Sequence, residues 1–477
     1  KNVVSTDSLG NLAGGNVGDF LQSLPGITAN YVAMEVRTVS IRGIDADLNS
    51  VTMDGERVAS SASANTGRAF EFEQASLGLI ETIEVTKAPT PDMDADSIGG
   101  SVNMVSKSAF DRADARSFAY MAGVVNRVGR RAPADSRTKE PINGIGPSLN
   151  FTYSDVIGPR RNIGILLTGT WHVDPSADLR TTVRDQLTLN VPHYVYSVVG
   201  PEVLGNPRTR LSTGIKLDYK LSDRTVLTLN TVYNWFQEAS FIQQRSLTTS
   251  QSLATFNAQG VRTGTGTIMP GYTDTFTEVL TSTNSLATLT STTNDKSGRT
   301  YVLQPSVRHR FKDGLQVDYG MSYSNSNTYY DTSPFNRHYS AIPKGTVTAQ
   351  LRNLGWTVDR SSDRAVPAIT QTAGPSIYDI NNFSNLVLTQ PHRNGVDSIL
   401  NARFNVKKSV ELAVPAFIKT GFNYRRQQRE IAYQSHRYNP KTAPYLTQFA
   451  ERSDGYDAVV KAFLKKSREP RMPLLDS

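Results

Sequence analysis

From Arg116 onward, hydrophobic and polar residues alternate with a period of two. Leu315, Val317, Tyr319, Met321 and Tyr323 occupy odd positions, with Gln316, Asp318, Gly320, Ser322 and Ser324 between them. Ile215, Leu217, Tyr219 and Leu221 alternate with Lys216, Asp218 and Lys220, and Leu227, Leu229, Tyr233 and Trp235 oppose Thr228, Asn230 and Asn234. Successive side chains of a strand point to opposite faces, so these stretches read as strands that are apolar on one side only. The pattern predicts nine of them, over residues 116–126, 145–155, 162–173, 210–221, 224–236, 299–311, 314–325, 398–407 and 415–425. The connections between them alternate. Tight turns at Gly158-Pro159-Arg160, Ser222-Asp223, Lys312-Asp313 and near Glu411 are separated by loops of about 18, 36, 62 and 72 residues.

Loops that long are uncommon in compact domains. A transmembrane β-barrel gives the ordering a cause, with short turns at the periplasmic rim and long loops at the extracellular rim. Strands of this length cross the hydrocarbon core at a tilt of about 45°. The polar faces, including Lys216, Asp218, Asn230, Gln316 and Asp318, are expected to line the lumen, and Leu217, Leu229, Val317 and Tyr319 to face lipid. A large secreted β-sandwich or propeller is the competing architecture.

The first 110 residues have a different rhythm. Val17, Phe20, Leu21 and Leu24 recur at helical spacing and predict a short amphipathic helix over 17–24, ended by Pro25-Gly26. Strands are expected over 37–42, 50–53, 80–87 and 101–105, with Asp54-Gly55 as a hairpin turn. The fold class expected is therefore an N-terminal mixed α/β unit, residues 1–110, followed by an antiparallel β-barrel portion, residues 111–477.

Composition narrows the chemistry. The chain has no cysteine, which removes disulfides, thiolate zinc sites and a cysteine nucleophile. Mean hydropathy is −0.37 and no apolar run reaches helix-spanning length, which rules out membrane helices but not membrane strands. The net charge of +8 is unevenly placed: residues 1–110 carry 7 Lys+Arg and 14 Asp+Glu, against 44 and 29 in the remainder. The basic residues form no dense block and no nucleic-acid motif is present, so no nucleic-acid partner is expected. The six histidines are scattered, without H-E-x-x-H, and no G-x-S-x-G, P-loop or dinucleotide fingerprint occurs, so neither catalysis nor a cofactor is expected. Asp92, Asp94 and Asp96 suggest a calcium loop, but Ser97 and Asn103 stand where an EF-hand needs Gly and Glu, and a solvated acidic turn is the plainer reading.

Four motifs then carry a resemblance. Gly18-Asp19-Phe20-Leu21-Gln22-Ser23-Leu24-Pro25-Gly26-Ile27 resembles the opening helix of the plug domain of TonB-dependent outer-membrane receptors. Val39-Ser40-Ile41-Arg42-Gly43 is similar to that family's "IRG" segment, and Val51-Thr52-Met53-Asp54-Gly55 to its "V-x-x-D-G" hairpin. Ile80-Glu81-Thr82-Ile83-Glu84-Val85, followed by Gly99-Gly100-Ser101-Val102-Asn103, resembles the closing signature. The stretch from Thr90 to Asp96 is similar to the version in large receptors often associated with carbohydrate uptake. The resemblance implies an outer-membrane receptor that imports a scarce ligand (carbohydrate, siderophore or similar), with a TonB-type periplasmic protein and membrane lipid as partners.

Gly43, Gly55, Gly99 and Gly100 read either as turn geometry or as ligand approach, with turn geometry favoured. Arg42 reads as a surface charge on a strand or as a partner of lumen carboxylates that locks the plug. Asp54 and Asn103 complete the motif set. No Ton box is identifiable before Asn16; it is expected upstream of Lys1. Nine strands against roughly 22 in the plugged class lead to the expectation of an incomplete, open sheet beside the plug. A binding or adhesion barrel without transport is the alternative function.

Overall fold

The computed structural model describes residues 2–5, 16–32, 35–74, 80–88, 93–94, 97–111, 116–125, 145–186, 192–331, 345–364, 366–411 and 415–439. Near the N-terminus, α1 (Val17–Leu21) is shorter than the predicted 17–24. The Asn16 side chain caps it, accepting from the Gly18 N–H at 2.7 Å. The chain turns away at Pro25-Gly26, where Gly26 takes φ 74°. Around α1 lie β1 (Asn2–Ser5), β2 (Ile27–Val32), β3 (Glu35–Ile41), β4 (Asn49–Met53), β5 (Glu56–Arg57), β6 (Ile80–Thr86) and β7 (Gly100–Ser106). The strands expected in this unit appear as β3, β4, β6 and β7; β1, β2 and β5 are additional. Five strands form a sheet in the order β1-β6-β7-β4-β5, with β4 parallel to β7, while β2 and β3 make a separate hairpin. Asp54 and Gly55 turn the β4–β5 hairpin at φ 50° and 84°, the paired positive angles of a type I′ turn. Arg42 is not on a strand: it follows β3 at φ 56°.

The rest of the chain gives β8 (Arg116–Val125), β9 (Ile145–Ile157), β10 (Ile163–Gln186), β11 (Tyr194–Ser222), β12 (Thr225–Thr248), β13 (Thr255–Phe256), β14 (Arg262–Thr263), β15 (Phe276–Val279), β16 (Leu286–Arg310), β17 (Leu315–Asp331), β18 (Gly345–Arg352), β19 (Gly355–Asp359), β20 (Ala368–Ala373), β21 (Ser384–Glu411) and β22 (Pro415–Tyr438). Each of the nine predicted strands falls on one of β8–β12, β16, β17, β21 and β22, and these pair antiparallel in sequence order. Asn126, at the end of the first predicted strand, lies outside the described residues. Among the described residues no ladder joins β8 to β22.

The last three of the four expected long loops are shorter than their spacing suggests, because the strands run on. The connection from β10 to β11 is residues 187–193, not about 36 residues. Strand nine likewise continues to Tyr438. Parts of the extensions are polar on both faces; Ser291, Thr292, Thr293 and Asn294 of β16 show no alternation of hydropathy, although threonine favours extended backbone. Beyond them, β15, β19 and β20 form a small sheet over an apolar cluster that includes Val198, Leu247, Leu289, Val347, Trp356 and Val358.

The two faces of the large sheet separate as their alternation predicts. Asp218 and Asn230 are buried, whereas Leu217, Leu229 and Tyr319 are exposed. The outward face carries two aromatic rows. One runs across Tyr219, Leu227, Val307, Tyr319, Phe404 and Phe422, near the short turns. The other joins Trp171 to Leu211, Trp235 and Arg299. Eight residues of strand separate Tyr219 from Leu211. At about 3.4 Å per residue and a 45° tilt the rows stand roughly 20 Å apart, close to the ~25 Å apolar band of an outer-membrane barrel between its girdles.

Candidate functional site

The inner face of the sheet is where the N-terminal unit docks. Its core of Val17, Phe20, Leu21, Val36, Ile41, Ile83, Val85 and Val102 extends to Val232 and Val302, which project from β12 and β16. Around that contact the ties are polar. The Asp54 carboxylate accepts from Ser106 N–H at 2.9 Å, Ser106 Oγ at 2.6 Å and Asn230 Nδ2 at 2.9 Å, so one side chain fixes both the hairpin and its seat on β12. Gln304 on β16 donates to the Met53 carbonyl at 3.1 Å. Arg403 on β21 pairs with Glu56 at 3.0 Å and donates to the Asp54 carbonyl at 3.2 Å.

The segment from Val58 to Ala64 lies along β17. Ser324 Oγ accepts from Ala59 N–H at 2.9 Å, Ser326 Oγ accepts from Ser61 N–H at 3.2 Å, and Thr328 Oγ1 lies 2.5 Å from Ser61 Oγ. Asp397 accepts from Ser60 N–H at 3.0 Å, and Arg429 on β22 reaches the carbonyls of Ser60 and Gly67. Backbone groups that a buried extended segment would otherwise leave unpaired are thus satisfied by sheet side chains. Gly395 allows the close approach: a Cβ there would stand 2.7 Å from Ala64 Cα.

A buried charge network completes the interface. Lys296 of β16 pairs with Glu73, lies 2.6 Å from Ser63 Oγ and 3.8 Å from Glu71. Arg37 of β3 reaches Glu73 at 3.3 Å and Glu71 at 4.0 Å. Higher on the sheet, Arg208 meets Glu35 at 3.0 Å and Glu238 at 3.6 Å, while Arg210 pairs with Glu35 and donates to the Glu73 carbonyl at 2.9 Å. Three acids from the N-terminal unit therefore meet three cations from the sheet. Asp94, one of the three acids proposed for calcium, pairs with Arg425 instead; Asp92 and Asp96 lie outside the described residues.

Burial pushes the Glu71 carboxyl up to about 7, despite the neighbouring Lys296. Burial acts on Glu73 the same way, but Lys296 and Arg37 outweigh it and hold that carboxyl at about 2. Folding thus makes Glu71 a stronger proton binder. Its contribution to stability is complete below the ordinary carboxylate range and is lost as pH rises through about 7. The guanidinium midpoint of the docked unit should accordingly fall between pH 5 and pH 8, a window in which Glu73 stays ionised. Glu71→Gln should flatten that slope; an unchanged slope in the variant would assign it to another group.

The motif glycines divide by their surroundings. Gly43, at φ 75°, has nothing within 4 Å of a built Cβ, whereas a Cβ on Gly100, at φ 143°, would stand 2.7 Å from the Thr86 carbonyl oxygen. At Gly99 it would lie 2.2 Å from Asn49 Oδ1, and at Gly55 2.9 Å from Arg403. Asn103 holds the hairpin, accepting from Gly55 N–H and Thr52 Oγ1, each at 2.9 Å, and donating to Glu84 at 2.9 Å. Arg42 is exposed, and among the described residues it makes no ion pair. Gly100→Ala should cost more than 2 kcal/mol of stability and Gly43→Ala about 1 kcal/mol, the strain of the left-handed backbone alone. Denaturant titration of the two variants separates them; equal costs would mean that contact with Thr86 is relieved at no expense.

Residues 1–148 match the family model described as the TonB-dependent Receptor Plug Domain. Solved structures with a similar fold include a ferric enterobactin receptor mutant from Pseudomonas aeruginosa in complex with enterobactin, at 8% identity and TM-score 0.36, over 86% of this chain and 62% of that one. The siderophore receptor from Acinetobacter baumannii is 11% identical at TM-score 0.34, over 91% and 77% of the two chains. An outer membrane transporter from Escherichia coli is 9% identical at TM-score 0.36, over 90% and 74%. The chain spans 62% of the length of the enterobactin receptor. No curated protein sequence matches it. What the match shows is the domain: the chain carries a TonB-dependent receptor plug domain at its N-terminus, seated on the inner face of a large antiparallel sheet.

Proposed function

We propose that the chain supplies the plug, residues 1–110, and part of the wall, residues 111–477, of an outer-membrane importer that takes up a scarce ligand by energy-coupled rearrangement of the plug. The observation that carries the reading is the composition of the plug's seat. Side-chain hydrogen bonds and ion pairs such as Lys296–Glu73, Arg403–Glu56 and Asn230–Asp54 dominate it, with a small apolar contact at Val232 and Val302. Polar ties can be exchanged for water when the plug moves, whereas a large apolar seat would expose its surface on every cycle. A pull applied from the periplasm by a TonB-type protein would first load β1, which pairs with the edge of β6 and packs Val4 on the plug core.

The ligand is a carbohydrate, a siderophore or a similar molecule. The resemblance of Thr90 to Asp96 favours carbohydrate, and similarity to siderophore receptors keeps iron chelates as the second class. Uptake of a labelled maltooligosaccharide and of labelled ferric enterobactin by cells producing the full-length receptor, with and without a protonophore, tests the reading. Uptake of either probe that collapses with the protonophore supports import. Binding without uptake, or uptake insensitive to the protonophore, would favour a binding or adhesion barrel.

A further inference from the structure

We propose that residues 61–65 of the plug are a spring-loaded latch: a left-handed turn that the wall imposes while the plug is seated, and that relaxes when the plug leaves its seat. The latch rests on the reading of the plug as a moving part and adds what the seat does to the plug's own backbone.

Ala62, Ser63 and Ala64 stand at φ 45°, 51° and 53°. Among the described residues they are the only run of consecutive non-glycine residues with positive φ. The turn closes on itself: the Ser61 carbonyl accepts from Ala64 N–H and the Ala62 carbonyl from Asn65 N–H, each at 2.9 Å. L-residues enter the left-handed region singly, at a cost of roughly 5- to 30-fold in population each, because Cβ crowds the following carbonyl oxygen. Nothing local asks for that conformation. Alanine is the best right-handed helix former, and the two neighbours that tolerate positive φ do not use it. Asn65 is extended at φ −112° and ψ 165°, and Gly67 does not take positive φ.

The contacts that hold the turn come from the wall and the charge network. Ala62, Ser63 and Ala64 are all buried. Gly395 of β21 makes room for Ala64, whose Cα a Cβ there would meet at 2.7 Å. Ser326 and Thr328 of β17 hold Ser61, and Arg429 of β22 grips the carbonyls of Ser60 and Gly67 on either side. The left-handed backbone delivers the Ser63 hydroxyl between Lys296, at 2.6 Å, and Glu71, at 2.5 Å. Strain in the turn is thus offset by contacts that cross to the wall. Once Lys296 and the β17 hydroxyls separate from it, the turn is free to relax, so unseating is assisted and reseating must rebuild it.

The test uses full-length receptor in outer membranes carrying Val58→Cys, a buried position of the plug core four residues before the turn. Reaction with a soluble maleimide reads how often the latch opens, and a urea-resistant membrane fraction reports barrel insertion. Ala59→Gly, in the same buried segment but outside the turn, should speed labelling about 10-fold through lost methyl burial and added backbone freedom. Ala62→Gly and Ala64→Gly carry the same losses but each relieves a left-handed residue, so neither should label more than about 2-fold faster than the Val58→Cys receptor. Gly395→Ala should speed labelling at least about 10-fold by crowding Ala64. Thr328→Val removes the hydroxyl 2.5 Å from Ser61 Oγ and should speed it about 5-fold, which keeps the wall's part testable if Gly395→Ala does not insert. Labelling of Ala62→Gly and Ala64→Gly as fast as Ala59→Gly would overturn the proposal, because the turn would then hold no strain. Unchanged labelling in the inserted wall variants would overturn it too, because the wall would not hold the turn. None of these readings uses transport: uptake insensitive to a protonophore would remove the import reading and leave the labelling results standing.

Discussion

Lys296→Met should unseat the plug while leaving the sheet in the membrane. Lys296 is 1% exposed and is the centre of the charge network, touching Glu73, Glu71 and Ser63 from the wall side. Methionine keeps the length and the packing of the side chain but removes the charge. Glu73 would retain only Arg37, at 3.3 Å, and Glu71 would lose its nearer cation. Breaking one partner of a buried ion pair typically costs about 3–5 kcal/mol, because the other charge stays buried without compensation. The loss should appear as a lower guanidinium midpoint for the plug and as tryptic cleavage within residues 58–74 of membrane-inserted receptor. The double variant Lys296→Met/Glu73→Gln should recover a large part of it, since one positive and one negative charge are then removed together and Arg37 can still pair with Glu71. A Lys296→Met plug within 1 kcal/mol of wild type would mean that Val232, Val302 and the β17 hydroxyls hold the seat without the charges.

That network shows where reading a sequence reaches its limit. Four plug strands (β3, β4, β6 and β7), the hairpin at Asp54-Gly55 and all nine wall strands are legible because each is written in adjacent residues, as alternation or as a motif. The network is written in residues far apart: Glu73 and Lys296 are separated by 223 positions, Asp54 and Asn230 by 176. What the sequence does carry is its coarse signature. The acidic excess of residues 1–110 against a basic remainder is the sum of which Glu35, Glu71 and Glu73 facing Arg208, Arg210 and Lys296 are the local terms. The motif arginine, Arg42, drew attention as a lock, whereas Arg37, five residues earlier, is the plug arginine inside the network. Its position on the strand facing Glu73 could not be distinguished by alternation alone. The extended strand ends escaped for another reason: stretches such as Ser291–Asn294 carry no alternation of hydropathy, so nothing in adjacent residues marks them as strand.

Two neighbouring residues on β16 test the assignment of faces, because they should fail in different ways. Leu303 is 46% exposed and lies midway between the row of Val307 and Tyr319 and the row of Trp235 and Arg299, four residues from each along the strand. Gln304 is 5% exposed and points inward, donating to the Met53 carbonyl of the plug at 3.1 Å while Asn230 Nδ2 reaches its Oε1 at 3.3 Å. Leu303→Arg places a charge near the middle of the hydrocarbon, at a cost of roughly 2–4 kcal/mol. It should sharply reduce the folded, urea-resistant fraction in the outer membrane. Gln304→Leu keeps the volume and the strand, and should insert as wild type does. Its cost falls on the plug, where the Met53 carbonyl and the Asn230 amide each lose a partner, about 1–3 kcal/mol per unsatisfied group. That loss should be read as faster tryptic cleavage of the plug, with no change in membrane yield. If Leu303→Arg inserted normally, or if both variants failed in the same assay, the outward and inward faces of β16 would have to be exchanged, and with them the surface on which the plug is seated.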